Sequence, residues 1–187
     1  MSDHTDRRLE LFSYFEECVK KHFNFLGDMS CIIDKNTMGW IVSYVSEKVI
    51  LSIYYERVSF EIYLTLNLIK PDISIYNEEI LEKSEKKKFL FATNEAMVEN
   101  AVIELKTLIT QYCRPFLNGE IEVFENVLKE RAATIKDYDL RQIEKKAVKA
   151  WEDGNHDEVV LLYQSIKGSL TPIQDKRLSI SLKKIKE

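Results

Sequence analysis

The chain has 187 residues, of which 45% are hydrophobic and 31% charged, which is the composition of a folded globular protein rather than of a disordered segment. It carries 27 basic and 31 acidic residues, and the resulting net charge of −4 argues against general nucleic-acid binding. No apolar run approaches the roughly 20 residues of a membrane span, and the polar start MSDHTDRR is unlike a secretory signal. The three cysteines lack a CxxC spacing and fit a reducing compartment. We therefore expect a cytoplasmic protein with no membrane partner.

The first predicted element is an amphipathic helix over about residues 6–26. Its apolar side chains recur at steps of three and four residues, with charged residues on the other side. They are Leu11, Phe12, Phe15, Val19, His22, Phe23 and Leu26. We expect Thr5 to cap the start of this helix and Gly27 to end it.

Between residues 38 and 69 the apolar pattern changes to a period of two, which predicts β-strands. The breaks between the alternating segments are only a few residues long, so neighbouring strands must run antiparallel. Residues 31–33 add a short edge strand. We therefore predict an α+β fold in which an antiparallel meander of three or four strands packs its apolar face on the first helix.

Residues 71–88 are the least regular part of the chain. They contain Pro71, a short helix over residues 77–83 and the charged run that ends in Lys86, Lys87 and Lys88. Because Glu82 and Glu85 precede these lysines, we interpret the run as a solvated crossover rather than a phosphate-binding site.

The rest of the sequence is helical. Thr93 is the expected cap of a helix that ends near residues 118–119, and further helices begin near residues 121, 139, 157 and 172. Pro172 after Thr171 has the preferred order for a helix start. We place the α+β domain at residues 1–138 and a hairpin-like helical extension at residues 139–187.

The C-terminal extension resembles half of a tetratricopeptide-type helical hairpin. The resemblance lies in small residues on one helix, a glycine at the turn and aromatic residues on both sides of it, although Val160 stands where alanine is usual. These residues are Ala147, Ala150, Trp151, Gly154, His156, Val160 and Tyr163. A single such unit is too short for an array, since solenoids need about three repeats.

A second resemblance covers about the first 130 residues. The phenylalanine-rich opening helix is followed by IVSYVSEKVILSIYYERVSFEIYLTLNLI and by YCRPFLNGEIEVFENVLKER. This order is similar to that of small uncharacterised bacterial proteins of the immunity type, which accompany secreted polymorphic toxins. The resemblance implies an α+β fold and a toxin domain as partner, and it implies no site residues.

Residues able to support catalysis are few. Cys18 and His22 share a helix face, but no second pair has ligand spacing for zinc. The acidic turn that begins at Asp153 has Glu158 where a calcium loop needs glycine, so we interpret it as a helix corner. The chain also has no phosphate-loop, dinucleotide or hydrolase motif. We expect a non-catalytic protein without cofactor or metal.

The strand region is rich in tyrosine, and this feature carries the functional prediction. If the apolar face of the sheet packs on helices, Tyr54, Glu61 and Tyr63 fall on its other face, where tyrosine is well suited to binding proteins. The alternative is that the late helices cover this face and make the tyrosines part of the packing. We predict a protein-binding module of the immunity type; the alternative is an adaptor that binds a peptide or helix through its C-terminal hairpin.

Overall fold

A computed structural model describes residues 3–36, 39–81 and 90–186 of the chain. The fold is α+β, as predicted from the sequence. The chain divides into two compact units, residues 1–127 and residues 128–187, with the sheet in the first unit. The predicted domain boundary after residue 138 falls later than this division, inside a helix that extends over Ile121–Glu152.

Antiparallel strands form the sheet of the first unit. They are β1 (Ser30–Asn36), β2 (Gly39–Val45), β3 (Val49–Glu56), β4 (Glu61–Leu68), β5 (Ile73–Tyr76) and β6 (Leu90–Phe91). The first five are neighbours in chain order, and β6 pairs with the start of β4. The meander is therefore longer than the three or four strands predicted. The sequence did not predict β5 because its four residues are too few to show a period of two.

The period-two pattern decides which side chains enter the core. The inward side chains of β2, β3 and β4 are 0–9% exposed. They are Trp40, Val42, Tyr44, Val49, Leu51, Ile53, Tyr55, Ile62, Leu64, Leu66 and Leu68. Helix α1 (Asp3–His22) packs on this face, as predicted, with the ring of Phe12 5.6 Å from that of Trp40 and 4.8 Å from that of Tyr55. Thr5 lies within α1, so its predicted role as N-cap is wrong.

Three further helices, α2 (Asn77–Leu81), α3 (Glu95–Tyr112) and α4 (Arg114–Leu117), belong to the same unit. Helix α3 packs beside α1. Its N-cap is Asn94 rather than Thr93, because Oδ1 of Asn94 accepts a hydrogen bond from the Met97 amide at 2.9 Å. Met97 is 38% exposed, and the buried stripe of α3 begins at Val98.

Helix α5 (Ile121–Glu152) is one continuous helix where the sequence predicted two. Neither proline nor glycine interrupts it. Residues 132–139 are all exposed, so this stretch has no apolar stripe to reveal a helix by periodicity. Its local support includes an ion pair between Asp137 and Arg141, one helical turn apart.

The second unit contains most of α5, from residue 128 onward, together with helix α6 (His156–Ser165) and helix α7 (Pro172–Lys184). Its core consists of Ala147, Ala150, Val159, Tyr163 and Leu178. The predicted start of α7 is confirmed: Thr171 and Gln174 form a capping box, with Pro172 at the first helical position.

Candidate protein-binding surface

The sheet of the first unit has a second face, opposite to the one on which α1 packs, which we call the outward face. Strand alternation and register place on it the residues Ile32, Asp34, Ile41, Ser43, Val45, Ile50, Ser52, Tyr54, Glu56, Glu61, Tyr63, Thr65, Asn67, Ser74, Tyr76 and Phe91. All except Ser52 and Thr65 are half-buried or exposed. The three predicted site residues therefore lie on the same face of one sheet.

Tyr54 and Tyr63 form the centre of this surface. They are directly opposite each other on β3 and β4, and their rings are stacked with centroids 4.7 Å apart and planes 5° apart. Both side chains are half-buried, whereas the adjacent Tyr55 on the inward face is 1% exposed. The sheet thus holds two parallel aromatic rings side by side on a hydrogen-bonded support.

Two carboxylates border the stacked tyrosines. The Tyr63 hydroxyl donates a hydrogen bond to Oε1 of Glu56 at 3.0 Å, and the Ser59 hydroxyl donates to Oε2 of the same residue at 3.0 Å. Burial, reinforced by the Glu56 carboxylate, raises the pKa of Tyr63 above its ordinary value, so its hydroxyl remains a neutral donor. Glu56 is the last residue of β3 and Glu61 the first residue of β4, each one residue beyond the final pair of the β3–β4 register, Tyr55 and Ile62.

Exposed apolar side chains extend the outward face beyond the predicted site. Ile32 on β1 is 55% exposed, Tyr76 on β5 is 45% exposed, and Phe91 on β6 is 49% exposed. Phe91 lies directly opposite Glu61 because β6 pairs with β4. Tyr76 and Phe91 lie on strands too short to show a period of two, so the sequence did not predict them, whereas Ile32 lies on the edge strand predicted over residues 31–33.

The pair Cys18 and His22 belongs to a polar cluster between α1 and α3. Glu99 accepts hydrogen bonds from Lys21 at 3.1 Å and from Tyr14 at 3.3 Å, and its Oε1 is 3.5 Å from Nε2 of His22. The hydrogen bond from Lys21 is the main cause that lowers the pKa of Glu99. Burial raises the pKa of the Cys18 thiol, which disfavours the thiolate that a nucleophile needs.

The acidic turn before α6 is a helix corner, as interpreted from the sequence. Gly154 has a φ of +73°, and the Asn155 side chain caps the helix by accepting from the Glu158 amide. In the part of the chain that the structure describes, no group of three or more His, Cys, Asp and Glu residues could hold a metal ion. Lys86, Lys87 and Lys88 lie outside the described residues.

The second unit has a surface groove of about 560 Å³ between the exposed part of α5 and the segment after α6. Its apolar lining comes from Ala132, Ile135, Leu140, Ile143 and Ile166, with Lys136, Asp139 and Lys167 among the charged residues. An apolar groove on a helical surface is the type of site in which an amphipathic helix or a peptide docks.

None of the helices within residues 3–36, 39–81 and 90–186 has the length and apolar content that crossing a membrane requires. No protein-family model matches the chain, and no curated protein and no solved structure shows a significant match to it.

Proposed function

We propose that the chain is a non-catalytic protein-binding module that uses the outward face of its sheet. The observation that carries the proposal is the stacked pair Tyr54 and Tyr63, held half-buried on a rigid sheet and flanked by exposed apolar residues. Tyrosine buries a large area with few rotamers to lose, so such a pair can act as the centre of a binding surface.

The specific form that we propose is an immunity-type inhibitor of a partner toxin in the cytoplasm. Support comes from the resemblance of the first 130 residues to such proteins and from the charge of the first unit. Residues 1–127 contain 14 basic and 21 acidic residues, a net charge of −7. A basic toxin domain would be attracted by this field, which raises the association rate.

The proposal is tested by capturing partners on the tagged full-length chain in its native cells and by comparing it with Tyr54→Ala/Tyr63→Ala. A captured protein is then purified, and its affinity for both forms is measured by calorimetry. We expect the double variant to lose at least a hundredfold in affinity, since each hot-spot residue contributes about 2 kcal/mol or more. Tyr138→Ala is the matched control, because Tyr138 is 61% exposed on α5.

The melting temperature decides how a loss of binding is interpreted. Lost binding in a double variant that still unfolds cooperatively, with only the modest loss of stability expected for two half-buried rings, supports an exposed interface at Tyr54 and Tyr63. A loss of stability as large as that of Tyr55→Ala, whose side chain is 1% exposed, would show that the two tyrosines belong to the core, and the site would have to be abandoned. Equal affinity of the double variant and the parent chain would also contradict the proposal.

The alternative function is an adaptor that binds an amphipathic helix or peptide in the groove of the second unit. The observation that favours it is the apolar lining of that groove, with Ile135 56% exposed. Under this alternative Ile135→Glu, but not Tyr54→Ala/Tyr63→Ala, abolishes partner binding. The two variants together therefore assign a captured partner to one unit or the other.

A further inference from the structure

The chain holds one of its own lysines between an aromatic ring and a carboxylate. The ammonium nitrogen of Lys35 lies 4.1 Å from the centre of the Trp40 ring and 3.0 Å from Oε2 of Glu16. The ring face and the carboxylate both attract the same positive charge.

A second cation in the chain has comparable surroundings. Nη1 of Arg177 lies 3.5 Å from the Tyr163 hydroxyl and 3.5 Å from Oε1 of Glu144. Here the tyrosine contacts the cation through its hydroxyl, whereas Trp40 contacts Lys35 through the face of its ring; the neighbouring glutamate is common to both places.

The outward face also combines aromatic rings with carboxylates, here with two of each. The stacked rings of Tyr54 and Tyr63 adjoin the carboxylates of Glu56 and Glu61. Among the residues that the structure describes, no lysine or arginine forms an ion pair with either glutamate, and none lies over either ring.

Both glutamates lie close to Tyr63: burial raises the pKa of that tyrosine, and the charge of each glutamate raises it further. A cation bound beside them would pair with these carboxylates while its flat side rests against an aromatic ring of the stack. Of the two basic side chains, arginine fits better, because its planar guanidinium stacks on aromatic rings and pairs with carboxylates through several N–H groups.

We propose that the outward face recognises a basic protein surface by taking up an arginine side chain, with the guanidinium against Tyr54 and Tyr63 and hydrogen-bonded to Glu61 and Glu56. This inference rests on the proposed function and names the chemistry of the partner. The net charge of −7 on the first unit supplies long-range attraction for such a surface.

The test uses a small probe, acetyl-Gly-Arg-Gly-amide, titrated into the ¹⁵N-labelled full-length chain and followed by NMR. We expect saturable shift changes in the millimolar range at the amides of Tyr54, Glu56, Glu61 and Tyr63. The same peptide with citrulline, which has the shape of arginine without the charge, should bind at least tenfold more weakly. Addition of 0.5 M salt should weaken binding of the arginine peptide severalfold.

Two conservative variants locate the interaction without removing packed side chains. Glu61→Gln should weaken binding of the arginine peptide about threefold to tenfold, and Tyr54→Leu should do the same. The matched controls are Glu104→Gln, an exposed carboxylate on α3, and Tyr138→Leu on α5, and both should bind the peptide as the parent chain does.

Equal binding of the arginine and citrulline peptides would overturn the inference, as would shift changes that spare the four outward-face residues. Concentration-dependent shifts at these residues without peptide would identify a second copy of the chain as the occupant and would also overturn it. The arginine peptide could fail to bind while a native partner still needs Tyr54 and Tyr63 for its affinity. In that case the proposed function stands, and only the inference that an arginine side chain is recognised is wrong.

Discussion

Tyr54 and Tyr55 are neighbours in sequence but lie on opposite faces of the sheet, so truncating each in turn measures how the two faces differ. Tyr55 is 1% exposed, its ring centre is 4.8 Å from that of Phe12 and 5.4 Å from that of Phe15, and its hydroxyl donates to the Ala92 carbonyl. Replacing a buried aromatic residue with alanine costs about 3–5 kcal/mol, and the carbonyl that loses its donor adds about 1 kcal/mol. We therefore expect Tyr55→Ala to lower the free energy of unfolding by about 4–6 kcal/mol.

Tyr54→Ala removes a half-buried ring from the stack with Tyr63. An aromatic pair contributes about 0.5–1.5 kcal/mol beyond its buried area, and the ring keeps part of its exposure in the folded protein. We therefore expect a loss of about 1–2 kcal/mol in the free energy of unfolding, well below that of Tyr55→Ala.

The measurement is urea unfolding of the first unit, followed by the fluorescence of Trp40. Trp40 stacks on Phe12 in the core of that unit, and Trp151→Phe removes the tryptophan of the second unit from the signal. With a slope of about 2 kcal/mol per molar urea, the midpoint should fall by about 0.5–1 M for Tyr54→Ala and by about 2–3 M for Tyr55→Ala. Equal losses for the two variants would show that the outward face is as closely packed as the core, and the reasoning would fail.

Three further predictions concern features outside the outward face. Burial raises the pKa of Tyr55 from 10.0 to about 12, so the stability that its neutral hydroxyl contributes is complete below pH 10 and is lost as the pH rises toward 12. In urea unfolding at pH 9 and at pH 12, the loss of stability between the two pH values should therefore be smaller in Tyr55→Phe than in the parent chain, by about 2 kcal/mol. Gly119 has a φ of +68°, and a Cβ added there would lie 2.8 Å from the Lys48 side chain. Gly119→Ala should therefore lower the free energy of unfolding by about 1–2 kcal/mol in the same assay at neutral pH, and an unchanged urea midpoint would show that the position is not strained. Thr171→Ala removes the reciprocal cap with Gln174 and should cost about 1 kcal/mol, measured as faster amide exchange in the first turn of α7, whereas Thr171→Ser should behave as the parent chain does.

The sheet was largely predictable because its inward side chains enter the core at every second position. That alternation also fixed the face of Tyr54, Glu61 and Tyr63, since a shift of one residue would have buried all three. Phe91 was not predictable as a neighbour of Glu61, because their pairing joins strands separated by a segment without a regular pattern. The centre of the outward face could therefore be predicted from the local sequence pattern. Its full extent could not, because it depends on which strands pair.

The helices show the same division between local and non-local information. Thr171 and Pro172 predicted the start of α7 correctly because a cap and its first turn involve adjacent residues. The pattern predicts a break between two helices in the middle of α5. Residues 132–139 are all exposed there, so they form no apolar stripe with a period of 3.6 residues. A helix that is exposed all round is recognised only by the lack of helix-breaking residues, which is a weaker signal than an apolar stripe.

The two candidate binding surfaces differ in charge, and this difference separates their partners. Residues 1–127 carry a net charge of −7, whereas residues 128–187 contain 13 basic and 10 acidic residues and carry +3. A basic partner is attracted to the first unit and repelled by the second, and an acidic amphipathic helix experiences the reverse. The charge of a captured partner is therefore evidence about which surface it uses before any substitution is made, and a basic partner favours the tyrosine stack over the groove.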